Sequence, residues 1–297
     1  MLEFNPLTME DKSFFDNYLH DYNFTTCEYS FTTLLIWRKA CDISYTVIDD
    51  VLVLRKMGFD GNYYFMQPIG YTKENLKNVV ELLKEYSSSN NMPYLFGDAE
   101  ESFLEDLKDI YGNNIIVKED VDNFDYLYDT QKLTTLSGKK LHSKKNHYNK
   151  FIKTYNYATK DFFEPGVKED CMKAAKLWYD MKNSDNKYLY YELEGIKEIS
   201  SNMKQLNLEA MAVYVDNEIS AFTIGEKVNP DMGIIHIEKG ITNVNGIYTF
   251  VNKTFVENYL QDVKYINREQ DLGLEGLIKA KKSYHPIKMA KKYCIRV

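Results

Sequence analysis

The order of predicted helices and strands occurs twice along this chain, and that repetition restricts its fold more than any single motif. In the first half, alternating β-branched and apolar residues around an Asp-Asp turn predict a hairpin over residues 43–55. In the second half, an Asp-Asn turn separates two similar runs over residues 210–226. Each half follows the order β-α-α-β-β-β-α-β-α-β, with no residue-level identity between the halves. Two copies of one architecture predict two domains of the same fold.

The second copy begins near residue 158, so we predict three segments. An N-terminal domain covers residues 1–135, a basic junction helix covers residues 136–157, and a C-terminal domain covers residues 158–297. A chain of 297 residues, 44% of them hydrophobic, is long and apolar enough for two cores. The shared order resembles that of the GNAT (Gcn5-related N-acetyltransferase) fold, a mixed sheet that splays around its ligand. The resemblance implies an α/β protein with two tandem GNAT-like domains.

The junction segment has the opposite charge to the rest of the chain. Residues 138–153 contain six lysines and two of the five histidines, and no acidic residue occurs between Asp129 and Asp161. The whole chain has a formal charge of −7. A local positive surface on an acidic protein favours binding of an anion, namely phosphate, RNA or an anionic lipid headgroup. The alternative is an ordinary solvated helix face in a lysine-rich protein.

An apolar stripe divides the basic residues of this helix into two groups, at about 100° of rotation per residue. Lys140, Lys144 and His147 line one flank of the stripe, so we predict that they contact phosphate, for example in the acceptor stem of a tRNA. Lys139, Lys150 and Lys153 are predicted to face solvent.

Cysteine and histidine positions argue against metal and covalent chemistry. The four cysteines are far apart and form no CxxC pair, which is typical of a reducing compartment. His142 and His147 are five positions apart, so they do not share a helix face. No run of about 18 apolar residues and no signal-peptide pattern occurs. We therefore expect no metal, no transmembrane segment, a cytoplasmic location and at most peripheral contact with an anionic lipid surface.

Two motifs resemble those of a known bacterial family. They are YINREQDLGLEGLIKAKKSYHP at residues 265–286 and GKKLHSKKNH at residues 138–147. Together they resemble a domain-of-unknown-function family related to the C-terminal domain of phosphatidylglycerol lysyltransferases. The resemblance implies a tandem GNAT fold, shared with Fem-type peptidyltransferases, and kinship with enzymes that move an aminoacyl group from tRNA to a lipid or peptide. The lysyltransferases also carry a long membrane-spanning region, which we do not expect here, and this weakens the case for a lipid acceptor.

The loop that would hold an acyl-CoA departs from the pattern of GNAT enzymes. Those enzymes bind pyrophosphate on [Gln/Arg]-x-x-Gly-x-[Gly/Ala], at the start of the helix after the third strand. Gly246 fits this pattern and is a phosphate-binding candidate, whereas Asn243 and Tyr248 do not fit. Residues 67–72 match more closely, but Pro68 removes a backbone donor. We therefore expect aminoacyl-tRNA as the donor, with acyl-CoA as the alternative and no certain cofactor.

The catalytic candidates of the second half lie on one predicted strand and in the segment that follows a second strand. His236 and Glu238 share a face of their strand, where either is able to accept a proton from an attacking amine or hydroxyl. A structural histidine is the alternative for His236. Arg268 suits a phosphate or carboxylate, with a salt bridge to a neighbour as the alternative. Asp271 completes the catalytic set, with the cap of the following helix as its structural alternative. Tyr284 is a substrate-binding candidate, with an ordinary helix-end position as the alternative.

These observations lead to a hypothesis of aminoacyl transfer from tRNA to a lipid, peptide or small-molecule acceptor, with the chemistry in the second domain. One alternative is an acyl-CoA-dependent N-acyltransferase. Another is a non-catalytic binding module that keeps the GNAT fold without turnover.

Overall fold

The computed structural model describes residues 2–182, 187–241 and 243–297. Contacts between Cα atoms divide the chain into two compact units. The N-terminal unit holds the chain up to Phe124 together with Ala290–Val297, and the C-terminal unit holds Asp125–Met289. Each unit contains a mixed sheet with helices, so the chain is of the α/β class. The predicted domain boundaries stay a prediction, and the compact units follow a different division of the chain.

The N-terminal unit begins with ten helices and strands in the predicted order. These elements are β1 (Asn5–Pro6), α1 (Lys12–Leu19), α2 (Phe31–Trp37), β2 (Ser44–Ile48), β3 (Val51–Met57), β4 (Tyr63–Phe65), α3 (Lys73–Ser89), β5 (Phe96–Ala99), α4 (Glu101–Tyr111) and β6 (Ile116–Glu119).

The C-terminal unit opens with a strand and two helices that precede the second copy of the repeat. Its elements are β7 (Asp125–Asp129), α5 (Thr130–Thr135), α6 (His142–Thr154), β8 (Tyr157–Asp161), α7 (Val167–Met181), α8 (Lys187–Ser201), β9 (Glu209–Val215), β10 (Glu218–Asn229), β11 (Met232–Gly240), α9 (Ile247–Tyr259), β12 (Tyr265–Asn267), α10 (Glu275–Lys282) and β13 (Lys288–Ala290). The chain closes with β14 (Tyr293–Arg296), which belongs to the N-terminal unit.

Both predicted hairpins are present, and their turns have the same chemistry. Asp49 and Asp50 connect β2 to β3, and Asp216 and Asn217 connect β9 to β10. All four residues have positive φ angles between 48° and 68°. Aspartate and asparagine tolerate this left-handed region better than other non-glycine residues, and two-residue hairpin turns require it. The turns therefore fix the register of the central strands in each sheet.

The last strand of the chain corrects the predicted second copy of the repeat. In the N-terminal unit the strand order is β1-β2-β3-β4-β5-β14-β6, so β14 lies between two strands of the first half. In the C-terminal unit the order is β13-β7-β12-β11-β10-β9-β8. The added strand β7 pairs antiparallel with β12, and sequence reasoning did not predict it. Strand partners far apart in sequence leave no local periodicity, which explains the error.

Candidate active site

The parallel pairing of β11 with β12 ends early, and this makes room for a group of polar side chains. On the β11 side, β12 pairs with Met232, Gly233 and Ile234, whereas β11 continues to Gly240. Beyond the last pair, the residues that follow Asn267 contact β11 through their side chains. We call this segment the 268–273 loop. It brings charged groups against the face of β11 that carries His236 and Glu238.

His236 lies between two carboxylates. Its Nδ1 is 3.0 Å from Oε1 of Glu269, and its Nε2 is 2.9 Å from Oε1 of Glu226. The side chain is fully buried. Burial favours the neutral ring, but the hydrogen bonds and charges of the two glutamates outweigh it and raise the pKa of His236 to about 9. A ring that is already protonated at neutral pH is a poor proton acceptor, so this geometry favours a role in positioning the 268–273 loop.

The pairing of His236 predicts a pH dependence of stability. The folded pKa lies above the unfolded value of 6.5, so the stabilisation is fully present below pH 6.5 and is lost as the pH rises through about 9. The shift corresponds to about 3 kcal/mol in the free energy of unfolding. We expect the difference between wild type and His236→Gln, measured by urea unfolding at stepped pH, to shrink over this range. Parallel curves for the two proteins would contradict the prediction.

Glu238 and Arg268 form a partly buried ion pair, each side chain being 12% exposed. Arg268 donates through Nη2 to Oε1 of Glu238 at 2.8 Å, and Asn252 of α9 donates through Nδ2 to Oε2 at 3.0 Å. Burial disfavours the guanidinium charge, but Glu238 outweighs this effect and raises the pKa of Arg268. The partner of Arg268 is thus a residue of β11, not the adjacent Glu269. This pair fixes one carboxylate in a defined orientation.

Lys144 and Tyr284 lie beside this pair. Nζ of Lys144 is 4.0 Å from the centre of the Tyr284 ring, and the guanidinium carbon of Arg268 is 4.7 Å from the same centre. The Tyr284 hydroxyl donates to Oγ1 of Thr249 at 3.4 Å. Burial, and then the charge of Arg268, lower the pKa of Lys144 to about 8. The structure therefore brings together four residues that the sequence singled out: Lys144, Glu238, Arg268 and Tyr284.

The 268–273 loop is held by Lys281 of α10. Its ammonium group donates to the carbonyl oxygens of residues 268, 269 and 270. Glu269 and Leu272 have positive φ angles of 55° and 54°, which cost energy in non-glycine residues. The backbone N–H of Glu269 donates to Oδ1 of Asn267 at 2.7 Å, which supports the first of these. Several interactions thus maintain one strained loop conformation.

Asp271 has a structural position in this loop. One carboxylate oxygen accepts from the hydroxyl of Tyr126, and the other accepts from the backbone N–H of Gly273 at 2.8 Å. The cap of α10 is Leu274, so Asp271 is not the helix cap considered for it. These contacts anchor the loop to β7, and Asp271 is not part of the group around Arg268.

Gly246 lies where α9 begins and where α6 approaches most closely. Its φ angle is +86°, and a Cβ added there would lie 2.7 Å from the carbonyl oxygen of His147 and 3.2 Å from Cβ of Phe151. The hydroxyl of Tyr155 also accepts from the backbone N–H of Asn245 at 3.1 Å. The backbone of α6 therefore lies against the start of α9, where the pyrophosphate of a GNAT cofactor would be expected.

Gly246→Ala tests this close approach. We expect it to lower the free energy of unfolding by about 2–4 kcal/mol, since it combines a left-handed backbone with a steric clash. Gly166→Ala is the matched control, because Gly166 precedes α7 at a φ of +83° with open space around it. The control should lose only about 1 kcal/mol. Equal losses in chemical denaturation would mean that α6 does not constrain the position.

The other two basic candidates, Lys140 and His147, are exposed and are not part of the group around Arg268. Residues 139–141 form a 3₁₀ turn, not part of α6, so the helical spacing from Lys140 to Lys144 does not hold. A surface concavity of about 390 Å³ lies at the start of α6. It is lined in part by Lys139, His142 and Lys145. Lys139 is exposed, as predicted, but sequence reasoning did not predict the concavity that it lines.

Several residues of the site left no signal in the sequence. Asn252, Tyr128 and Lys281 contact Glu238, Arg268 or the 268–273 loop from distant positions in the chain. Only the tertiary fold brings these residues of α9, β7 and α10 to the site, so no local sequence pattern identifies them. Within residues 2–182, 187–241 and 243–297, no three His, Cys, Asp or Glu side chains form a group suited to a metal ion. No helix in that part of the chain is long and apolar enough to cross a membrane.

Sequence comparison identifies the family. The family model described as phosphatidylglycerol lysyltransferase, C-terminal, matches residues 20–296. An uncharacterized protein of Mycoplasmoides gallisepticum is 28% identical over 182 residues, which make up 61% of this chain. The match spans 58% of the length of that relative.

Structural comparison identifies the fold. A conserved protein of unknown function from Bacteroides thetaiotaomicron has a TM-score of 0.89 and 30% identity, covering 99% of each chain. The L-PGS of Bacillus licheniformis has a TM-score of 0.67 and 13% identity, covering 100% of this chain and 94% of the other. A tandem GNAT protein from the clavulanic acid biosynthesis pathway has a TM-score of 0.52 and 10% identity, covering 99% and 97%. The predicted tandem GNAT fold is confirmed.

The match to the family model extends over nearly the whole chain, including both motifs that suggested the resemblance. The family and the fold together are those of GNAT-type acyl and aminoacyl transferases. The chain belongs to the family of the phosphatidylglycerol lysyltransferase C-terminal domain.

Proposed function

We propose that this protein transfers an aminoacyl group from tRNA to an acceptor amine or hydroxyl, with Glu238 as the proton acceptor. The observation that carries the proposal is the fixed carboxylate of Glu238 on β11. Arg268 and Asn252 each bind one of its oxygens, at 2.8 and 3.0 Å. Each oxygen retains a second lone pair for an acceptor proton. His236, held between two glutamates, positions the loop that carries Arg268.

The reaction needs only acid–base chemistry at one carbonyl group. The acceptor nitrogen or oxygen attacks the ester carbon that links the amino acid to the terminal ribose of the tRNA. A new amide or ester bond forms, and the bond from that carbon to the ribose oxygen breaks. Glu238 takes the proton of the attacking group and returns it to the departing ribose oxygen.

The contact between α6 and α9 supports tRNA over acyl-CoA as the donor. In GNAT enzymes that use acetyl-CoA, the pyrophosphate occupies the start of the helix equivalent to α9. Here the carbonyl of His147 lies so close to Gly246 that even a methyl group would clash. Asn243 and Tyr248 also depart from the residue types that the pyrophosphate loop uses. Both features reduce the space and the donors that a CoA pyrophosphate would need.

The start of α6 supplies the surface that we assign to the tRNA acceptor stem. Lys139, His142 and Lys145 line the concavity there, and the backbone N–H groups of a helix start favour phosphate. A small set of lysine contacts in an acidic protein favours a local RNA footprint with strong salt dependence. Lys140 and His147, both exposed, stay candidates for the edge of that footprint.

The acceptor is proposed to carry an apolar part. Leu274, just before α10, is 56% exposed, and Leu277, on α10, is 40% exposed. No residue of α10 is buried. Lys279 and Lys282 lie in the last turn of the same helix. An exposed apolar surface flanked by lysines suits an anionic lipid acceptor, met by peripheral contact, better than a small polar molecule. Peptide and small-molecule acceptors are the other outcomes of the assay.

The test is transfer of radiolabelled amino acids from a set of charged tRNAs by the purified full chain. Acceptors are offered separately as anionic phospholipid vesicles, peptides and small amines, and calorimetry with CoA runs in parallel. We expect label to leave the tRNA for one acceptor class, and no tight binding of CoA. Absence of tRNA binding at low salt, or acyl transfer from CoA, overturns the proposal.

A further inference from the structure

We propose that Lys144 and Arg268 form a binding site for one anionic group of a substrate, a phosphate or a carboxylate, beside the Tyr284 ring. The inference rests on the proposed function for the identity of that substrate. All residues of the site lie in the C-terminal unit.

Arg268 has an unused donor. Its Nη2 binds Glu238, whereas its Nη1 is buried and has no hydrogen-bond acceptor among the residues that the structure describes. A buried N–H group without an acceptor costs about 1–3 kcal/mol, and more when the group is charged. Native proteins rarely keep such a group without a purpose. The missing acceptor is therefore assigned to a ligand.

Lys144, unlike Arg268, has no carboxylate partner in the part of the chain that the structure describes. No ion pair of Lys144 occurs within the described ranges, and its Nζ lies 4.0 Å from the centre of the Tyr284 ring. Arg268 contacts the same ring. Two like charges beside one ring repel each other, and the lowered pKa of Lys144 reflects burial first and this repulsion second.

The charges of this group do not balance. Two cations, Lys144 and Arg268, face one carboxylate, that of Glu238, whose two oxygens already accept from Arg268 and Asn252. An uncompensated positive charge in a largely desolvated place is unfavourable, and a bound anion would compensate it. The ammonium group and the free guanidinium N–H would then share the oxygens of one phosphate or carboxylate.

The side chain that admits the anion is Lys144. Nη1 of Arg268 is covered in this structure, so a ligand reaches it only when a neighbour moves. Lys144 is partly exposed and has a long, unbranched side chain, whereas Tyr284 is 5% exposed and its hydroxyl donates to Thr249. We therefore assign to Lys144 both the gating and the capture of the anion. A terminal nucleotide of tRNA or a lipid headgroup would supply a phosphate, and an amino acid or peptide would supply a carboxylate.

Calorimetric titration of the full chain with inorganic phosphate and, separately, with acetate tests the site. We expect one of the two to bind, and Lys144→Met to weaken that binding by about tenfold or more, the loss of one charge-assisted hydrogen bond. Lys144→Arg should keep most of the affinity. Lys150→Met is the matched control, since Lys150 is an exposed lysine of the same helix, α6. It should leave the affinity within about a factor of two.

Comparison of phosphate with acetate distinguishes the possible sources of the bound anion. Other outcomes distinguish failure of this site from failure of the proposed reaction. Tighter phosphate binding assigns a nucleotide or headgroup, and tighter acetate binding assigns an amino-acid or peptide carboxylate. Lys144-dependent binding without any aminoacyl transfer would leave the site standing and overturn the reaction. Transfer without anion binding, or equal effects of the Lys144 and Lys150 variants, would overturn the site. Thermal unfolding of each variant confirms that it is folded.

Discussion

Lys292→Met is expected to lower the free energy of unfolding of the N-terminal unit by about 3–5 kcal/mol, the cost of breaking a buried ion pair from one side. Lys292 is fully buried, and its Nζ lies 3.1 Å from Oε1 of Glu28. Lys56 binds the other oxygen of Glu28 at 2.5 Å and Asp98 at 2.8 Å. The hydroxyl of Tyr64 also donates to Asp98, at 2.7 Å.

The charges explain the size of this effect. In the wild type, the charges of two lysines and two carboxylates balance. Burial alone would raise the pKa of Glu28, but the charges of Lys292 and Lys56 outweigh burial and lower the pKa to about 2. Without Lys292, two buried carboxylates share Lys56 alone. Since Lys292 directly precedes β14, the substitution also weakens the attachment of the last strand between β5 and β6.

The neighbouring residue provides the control for Lys292→Met. Lys291 pairs with Glu119 at 2.7 Å, but both side chains are 44% exposed, so Lys291→Met should cost less than about 1 kcal/mol. The double variant Glu28→Gln with Lys292→Met restores the charge balance and should recover about 2 kcal/mol relative to Lys292→Met alone. Urea unfolding, followed by probes in each unit, measures these differences. Equal effects at Lys291 and Lys292 would show that burial of the ion pair is not what stabilises β14.

The architecture was predictable from local patterns, but the partners of the terminal strand were not. Hairpin turns such as Asp49-Asp50 leave a signal within a few residues, and both hairpins were placed correctly. β14 has the composition of a strand, yet only the distant Glu28 and the edges of β5 and β6 determine its sheet. Long-range pairing of this kind cannot be read from periodicity.

The candidate site follows the same division. Period-two alternation placed His236 and Glu238 on one face of β11, and both contact the 268–273 loop. The wheel of the basic helix selected Lys144, which the structure places beside the Tyr284 ring together with Arg268. It grouped Lys140 with Lys144 only because a continuous α-helix was assumed, and a 3₁₀ turn breaks that spacing. The pairing of Arg268 with Glu238 required the early end of β12, which no motif indicates.

Glu238→Gln is expected to reduce aminoacyl transfer by about 10²–10⁴-fold, the usual contribution of a general base. The amide keeps the shape of the side chain and still accepts a hydrogen bond from Arg268, but it cannot take a proton. Substrate binding should change little, so the loss should appear in kcat more than in KM. The measurement is single-turnover transfer from the charged tRNA that the wild type uses, with unfolding curves recorded for each protein.

Glu192→Gln is the matched control for this substitution. Glu192 binds Nζ of Lys239 through both of its oxygens at 2.8 Å, in a pair that is nearly as buried as that of Glu238 and Arg268. Lys239 is the next residue of β11 and points to the opposite face, because side chains alternate along a strand. The control therefore removes a comparable carboxylate, one on α8 that pairs with the opposite face of β11, without touching the site. If both variants keep wild-type transfer rates, Glu238 is not the base; if both lose activity alike, the loss reflects the ion pairs of β11 and not proton transfer at Glu238.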